Sequence, residues 1–133
     1  MNKIITSGKR KTAVARAVLT EGNGKISINK KDHKTLPFFD MLRIEEPLRI
    51  SDSILGKRNY NVEIFVTGGG TKGQIEAARL ALARAIIEFS KSAELRKAYT
   101  DYDRNLLVAD VRRKETYKPG DSKARRRRQK SYR

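Results

Sequence analysis

Apolar and polar residues alternate along two stretches of this chain with the period of two that a half-buried β-strand imposes. Over Thr12–Leu19, Val14, Arg16 and Val18 fall on one side of an extended backbone, and Ala13, Ala15, Ala17 and Leu19 on the other. Over Tyr60–Thr67, Tyr60, Val62, Ile64 and Val66 share one face while Asn61, Glu63, Phe65 and Thr67 share the other. A shorter run, Lys25–Asn29, alternates with Ile26 and Ile28 inward. It follows Thr12–Leu19 across Glu21-Gly22-Asn23-Gly24, a strong turn signal, so the pattern predicts that these two strands form a hairpin.

The period changes to that of a helix over Gln74–Ser90. Ile75, Ala78, Leu82, Ala85, Ile86 and Phe89 fall on one stripe, which Leu80, Ala83 and Ile87 widen, a face broad enough to lie against a sheet. Arg79 and Arg84 are expected on its polar side, offset by Glu76 and Glu88 at helical spacing. Pro37 can open a short helix over Thr35–Ile44, and a further helix is predicted over Ala93–Tyr99. Pro47–Ile50 reads as a brief edge strand, where a proline is tolerated. Beyond Thr100 the periodicity fades, and Leu106-Leu107-Val108 is the last apolar cluster. The boundary near Val111 divides the chain into a globular domain, residues 1–111, and a C-terminal arm, residues 112–133.

Charge gives the arm its meaning. It holds eleven Lys and Arg against two acids, including the consecutive Arg125, Arg126, Arg127 and Arg128. No core could bury four adjacent guanidinium groups, so they stay solvated or meet a partner's anions. The body also carries an excess, twenty Lys and Arg against thirteen acids, within a formal net charge of +16. Repulsion of that size favours a polyanionic partner, and nucleic acid is the commonest. The arm, with Pro119-Gly120 and no apolar run, is expected to be disordered or extended until bound, reaching roughly 70 Å at about 3.3 Å per residue.

The chain has no cysteine, which excludes disulfides, thiolate metal sites and a cysteine nucleophile. No apolar run has the length of a signal-peptide core or a membrane span, so a soluble intracellular protein is expected, without a membrane partner. Gly68-x-Gly70-x-x-Gly73 satisfies a dinucleotide fingerprint between a strand and a helix, but no second parallel strand with a terminal acid follows promptly. Nor is the loop a Walker A, because Lys72 precedes Gly73. Its glycines suit a tight turn, and its amides with Lys72 suit a phosphate. His33, the only histidine, stands in a polar stretch and reads as a surface residue. With one imidazole and scattered acids, the residues predict no enzyme, no metal site, no cofactor and no small-molecule substrate. The candidate contacts are therefore cations: Lys9, Arg10, Lys11 and Arg16 near the start, Lys72 in the loop, and those of the arm. Tyr99, Tyr102, Tyr117 and Tyr132 interleave with the later ones and could stack on bases, although Tyr99 equally suits the core.

Several motifs in order resemble the universal small-subunit ribosomal protein nine family, the sixteenth in eukaryotic numbering, over nearly the whole chain. They are Gly8-Lys9-Arg10-Lys11-Thr12-Ala13-Val14-Ala15-Arg16, Gly22-x-Gly24-x-Ile26-x-Ile28-Asn29, Gly68-Gly69-Gly70 with Gly73-Gln74, Ala78-Arg79 and Ala83-Arg84-Ala85. Asp110-x-Arg112, Lys118-Pro119-Gly120 and Lys123-Ala124-Arg125-Arg126 follow in the arm. The ending, with Tyr132 before Arg133, looks archaeal or eukaryotic, since bacterial members commonly end Ser-Lys-Arg.

That resemblance implies an α+β fold in which a four-stranded sheet carries helices on one side, like the second domain of small-subunit protein five, with an extended basic C-terminal arm. It implies a cytoplasmic protein of the small ribosomal subunit head, among neighbouring head proteins. Small-subunit rRNA of the 3′ major domain would be bound by Lys9, Arg10, Lys11, Arg16, Lys72, Arg112, Arg113, Lys114, Lys118, Lys123 and Arg125–Arg128. The tip, Lys130, Ser131, Tyr132 and Arg133, would approach the anticodon stem-loop of peptidyl-site tRNA. The rival reading is a free-standing basic nucleic-acid chaperone or compaction protein, which would use the same charges without a fixed site.

Overall fold

A computed structural model describes residues 3–113 and residue 116. The chain forms strands β1 (Ile4–Arg10), β2 (Ala13–Glu21), β3 (Ile26–Ile28) and β4 (Lys31–Asp32), then helix α1 (Phe38–Leu55), strand β5 (Tyr60–Thr67) and helices α2 (Thr71–Ser90) and α3 (Ala93–Tyr102). The class is α+β. The sheet has five strands in the order β1-β2-β5-β3-β4, where the sequence led us to expect four. It is mixed, because β3 runs parallel to β5 while every other pair is antiparallel.

The core lies between one face of this sheet and α2. Ala13, Ala15, Ala17 and Leu19 of β2 and Val62, Ile64 and Val66 of β5 are buried against Ile75, Ala78, Leu82, Ala85 and Ile86. Alanine dominates β2 because the helix lies close. At Gly8 a Cβ would collide with the carbonyl of Ala77 and sit 2.8 Å from the amide nitrogen of Ala81, so only glycine lets β1 pass under α2. Helix α1 packs on α2, and α3 packs on α1. Helix α2 ends at Lys91 in the left-handed conformation (φ 52°), and the Ser92 hydroxyl accepts from the Leu95 amide to start α3.

Two expectations from the pattern are corrected. The stretch Pro47–Ile50 is no edge strand but the middle of α1, with Pro47 and Leu48 buried. An interior proline costs a helix about 3 kcal/mol, and here the burial of Ile44, Leu48 and Ser51 offsets it. The Tyr99 hydroxyl donates to the Pro47 carbonyl at 2.7 Å and ties α3 to that turn.

The second correction concerns the hairpin: β2 and β3 do not pair, because β5 lies between them. The turn after β2 is real, but it wraps the start of β5. The Asn61 side-chain oxygen accepts from the amides of Asn23, Gly24 and Lys25 at 3.0, 3.1 and 3.0 Å. Strand β3 instead forms its hairpin with β4 through Asn29 and Lys30, whose φ angles of 50° and 68° suit a two-residue turn.

Candidate nucleic-acid interface

Among the described residues no helix covers the sheet face away from α2, and the alternation along β1, β2 and β5 decides what it displays. Lys9 and Arg16, both predicted contacts, are exposed there. Cross-strand register aligns Ser7, Arg16 and Phe65 in one row and Lys9, Val14 and Thr67 in the next. Ile5, Val14 and Phe65 remain 60, 40 and 38 % exposed. Cations over an apolar, partly aromatic surface suit the phosphates and bases of RNA. Sequence reasoning did not name Phe65 as a contact, although its parity with Glu63 and Thr67 had placed it on this face.

Arg10, also a predicted contact, is placed differently. It points to the helix side, where its Nε donates to Glu76 at 2.6 Å and its Nη2 lies 3.5 Å from Asp110. Glu76 also accepts from Arg43 at 3.2 Å. The guanidinium thus joins β1 to α2 and to the start of the arm. Arg79 and Arg84 likewise find partners other than Glu76 and Glu88. Arg79 pairs with Glu46 of α1 and with Asp103 just after α3, the latter at 3.2 Å.

Lys11 stands in the turn between β1 and β2, and Lys72 in the first turn of α2. The turn from β1 to β2 places Lys11 in the left-handed region (φ 54°), and the glycine loop lies directly over it. Gly68 and Gly69, with φ of 76° and 65°, could not carry side chains, since their Cβ atoms would press on Thr12 and Ala13. Gly70 precedes α2 with no side-chain cap, leaving the first-turn amides free of side-chain acceptors. Lys11, Thr12, Thr71 and Lys72 are all exposed around that end. Both lysines therefore carry charge toward the positive end of α2, the arrangement that suits a phosphate.

The root of the arm is stitched to the body. Leu106 is fully buried, and Arg84 donates from Nε to the Leu107 carbonyl and from Nη1 to the Ser7 carbonyl, both at 3.0 Å. Asp110 accepts from the Arg112 amide at 3.0 Å and grips its guanidinium through both oxygens. Those hydrogen bonds, with Arg10 nearby, hold the Asp110 carboxyl well below the usual carboxylate range and raise Arg112. Arg112 and Arg113 are exposed. Lys114, Lys118, Lys123, Arg125–Arg128 and the tip Lys130–Arg133 lie outside the described residues, as do Tyr117 and Tyr132.

His33 is corrected from surface to interior. It is 4 % exposed, with Nδ1 3.3 Å from the Ile26 carbonyl and 3.2 Å from Asp32. Of the tyrosines, Tyr99 belongs to the core and Tyr102 is 56 % exposed.

Comparison with known proteins adds a family to this geometry. The family model described as ribosomal protein S9/S16 matches residues 8–133. The small ribosomal subunit protein uS9 of Methanococcus vannielii is 48 % identical over 136 residues, covering all of both chains. The protein of the same name from Halobacterium salinarum is 47 % identical, covering 96 % of this chain and 97 % of its own. That of Methanococcus maripaludis is 45 % identical over the full length of both.

Proposed function

The chain belongs to the ribosomal protein S9/S16 family, and from that premise we propose that it binds head rRNA and reaches the peptidyl-site tRNA. As a small-subunit ribosomal protein it is a structural constituent of the cytoplasmic ribosome and serves translation. Beyond that, its body (residues 1–111) seats on the 3′ major domain among neighbouring head proteins. Its arm (residues 112–133) runs through RNA, and Lys130–Arg133 approach the anticodon stem-loop.

The observation that carries this reading is the helix-free sheet face with Lys9 and Arg16 exposed on it. Lys11 and Lys72 extend the cationic surface at one end, and the stitched root starts the arm from the edge strand β1. Charge neutralisation and shape, rather than catalysis, do the work. Arg10 drops out of the proposed contact set because carboxylates already occupy it. Its role is to hold β1, α2 and the arm together.

Hydroxyl-radical footprinting on reconstituted small subunits tests the reading. Protection confined to head rRNA, with weakened peptidyl-site tRNA retention after deletion of Lys130–Arg133, is the expected result. If about ten phosphates are engaged, log affinity falls against log salt with a slope of roughly −7 to −9. Diffuse protection over any RNA would favour a free-standing chaperone instead.

A further inference from the structure

The edge of the sheet opposite β1 ends in the β3–β4 hairpin, and the chain then enters α1 through a short 3-10 turn at His33–Thr35. Lys30, Lys31 and Lys34 are exposed along this path. None of them makes an ion pair with a carboxylate among the described residues. Asp32, the acid between them, accepts instead from the Lys34 amide at 3.0 Å and lies 3.2 Å from His33 Nδ1. Three residues past Lys34 stand Pro37 and then Phe38 and Phe39, which are 64 and 77 % exposed. Their rings meet edge to face with centroids 5.6 Å apart.

This pair has no place in the core. The buried residues of α1 are Ile44, Pro47, Leu48 and Ser51, and helical spacing carries that stripe back to Met41, past Phe38 and Phe39. No side chain caps the start of α1, so its first amides have no side-chain acceptor. Two exposed rings beside three unpaired ammonium groups are poorly matched to an apolar protein helix, which would strip water from the lysines without compensation. RNA supplies both halves of the match in one strand, a flat base for the rings and phosphates for the lysines.

We infer that Lys30, Lys31, Lys34, Phe38 and Phe39 form a second RNA contact, at the sheet edge opposite β1. In it an unpaired base stacks on the phenylalanine pair while flanking phosphates meet the lysines. The inference rests on the rRNA reading above and adds a base-stacking site to it.

The two halves separate by salt dependence. Binding of the full chain to a transcript of archaeal small-subunit head rRNA is measured over a salt series for wild type, for Phe38→Ala with Phe39→Ala, and for a lysine variant. The latter is Lys30→Asn, Lys31→Gln and Lys34→Gln, asparagine being chosen for the left-handed backbone at residue 30. Far-UV circular dichroism verifies that each folds, as exposed positions permit. The aromatic variant is expected to lose roughly ten- to a hundredfold in affinity with an unchanged salt slope. The lysine variant is expected to flatten the slope by roughly 2 to 3. Benzoylphenylalanine at position 39, irradiated in purified small subunits, is expected to crosslink to rRNA. Wild-type affinity and slope in both variants, or a crosslink to protein, would overturn the inference while leaving the rRNA reading intact. Failure of the wild type to bind the transcript would instead remove that reading, and this contact with it.

Discussion

Replacing Asn61 by alanine tests the decision that shapes this sheet, the insertion of β5 between β2 and β3. One side-chain oxygen accepts three successive backbone amides, those of Asn23, Gly24 and Lys25, at 3.0–3.1 Å. Two of the bonds are exposed and one is partly buried. A hydrogen bond contributes about 1 kcal/mol net, and water recovers part of that at exposed amides. The loss should therefore come to about 2 kcal/mol, without any cavity in the apolar core. For a domain of this size that lowers Tm by about 8 °C.

Urea unfolding of wild type, Asn61→Ala and Asn61→Asp measures it. The aspartate variant would keep an acceptor in the same place, so its stability should stay within about 0.5 kcal/mol of wild type, with an unchanged m-value. The reasoning fails if alanine costs less than about 0.5 kcal/mol, or if aspartate costs as much as alanine. Either result would mean that the turn holds by its own backbone preference and that Asn61 is incidental.

Gly8→Ala should destabilise by about 2–3 kcal/mol in the same assay, because the new methyl meets the α2 backbone rather than a yielding side chain. Burial raises the phenols of Tyr99 and Tyr60 above their ordinary value, Tyr60 being partly offset by its Ser51 hydrogen bond. The unfolded chain then releases these protons first, so their contribution to stability should be constant from pH 8 to about pH 10 and fall above it. Thermal melts between pH 8 and 12, with absorbance near 295 nm to follow phenolate, check that sign. Arg84→Gln should lose amide-exchange protection at residues 106–113 while leaving α2 protected, because it removes the shared donor to Ser7 and Leu107; equal protection in the variant would deny Arg84 this role.

What the sequence reveals depends on how local the deciding contacts are. Strand β5 and helix α2 each present one apolar face to one neighbour, and periodicity finds them, β5 to the residue. Strand β1 escapes it because Ile4 alone of its inward positions is apolar, the others being Thr6, Gly8 and Arg10. Gly8 serves closeness and Thr6 donates to the Ala81 carbonyl at 2.8 Å. The false hairpin comes from a genuine turn signal. Nothing within Glu21–Gly24 announces that Asn61, almost forty residues later, completes it. The proline in α1 misleads for a similar reason, since the burial that overrides its cost belongs to α2 and α3. The inward turn of Arg10, by contrast, is readable. With Lys9 facing outward, period two sends Arg10 to the helix side, where its charge demands the acid that Glu76 supplies.

That division extends to the whole body and revises what its charge means. Among the described residues, each carboxylate that pairs with a cation does so with arginine, apart from Asp32, which meets only His33. Arg10, Arg43, Arg49, Arg58, Arg79 and Arg112 take these positions. All eleven lysines between residues 3 and 113 are exposed, and none makes such a pair. The planar guanidinium donates along fixed directions and is weakly hydrated, so it fits the partly buried junctions between elements. The ammonium group is strongly hydrated and swivels on a long stem, which suits phosphates met from varied angles. Counting cations therefore overstates what the body offers to RNA. The arginines that join its elements are neutralised already, and the charge left over comes chiefly from lysines, with Arg16 on the open sheet face and Arg96 and Arg104 exposed elsewhere. A guanidinium-rich arm on a lysine-faced body then divides the work. On the function proposed above, the lysines would attract RNA broadly, and the arm's guanidinium forks, through directional bonds to particular phosphates, would select where along it the chain comes to rest.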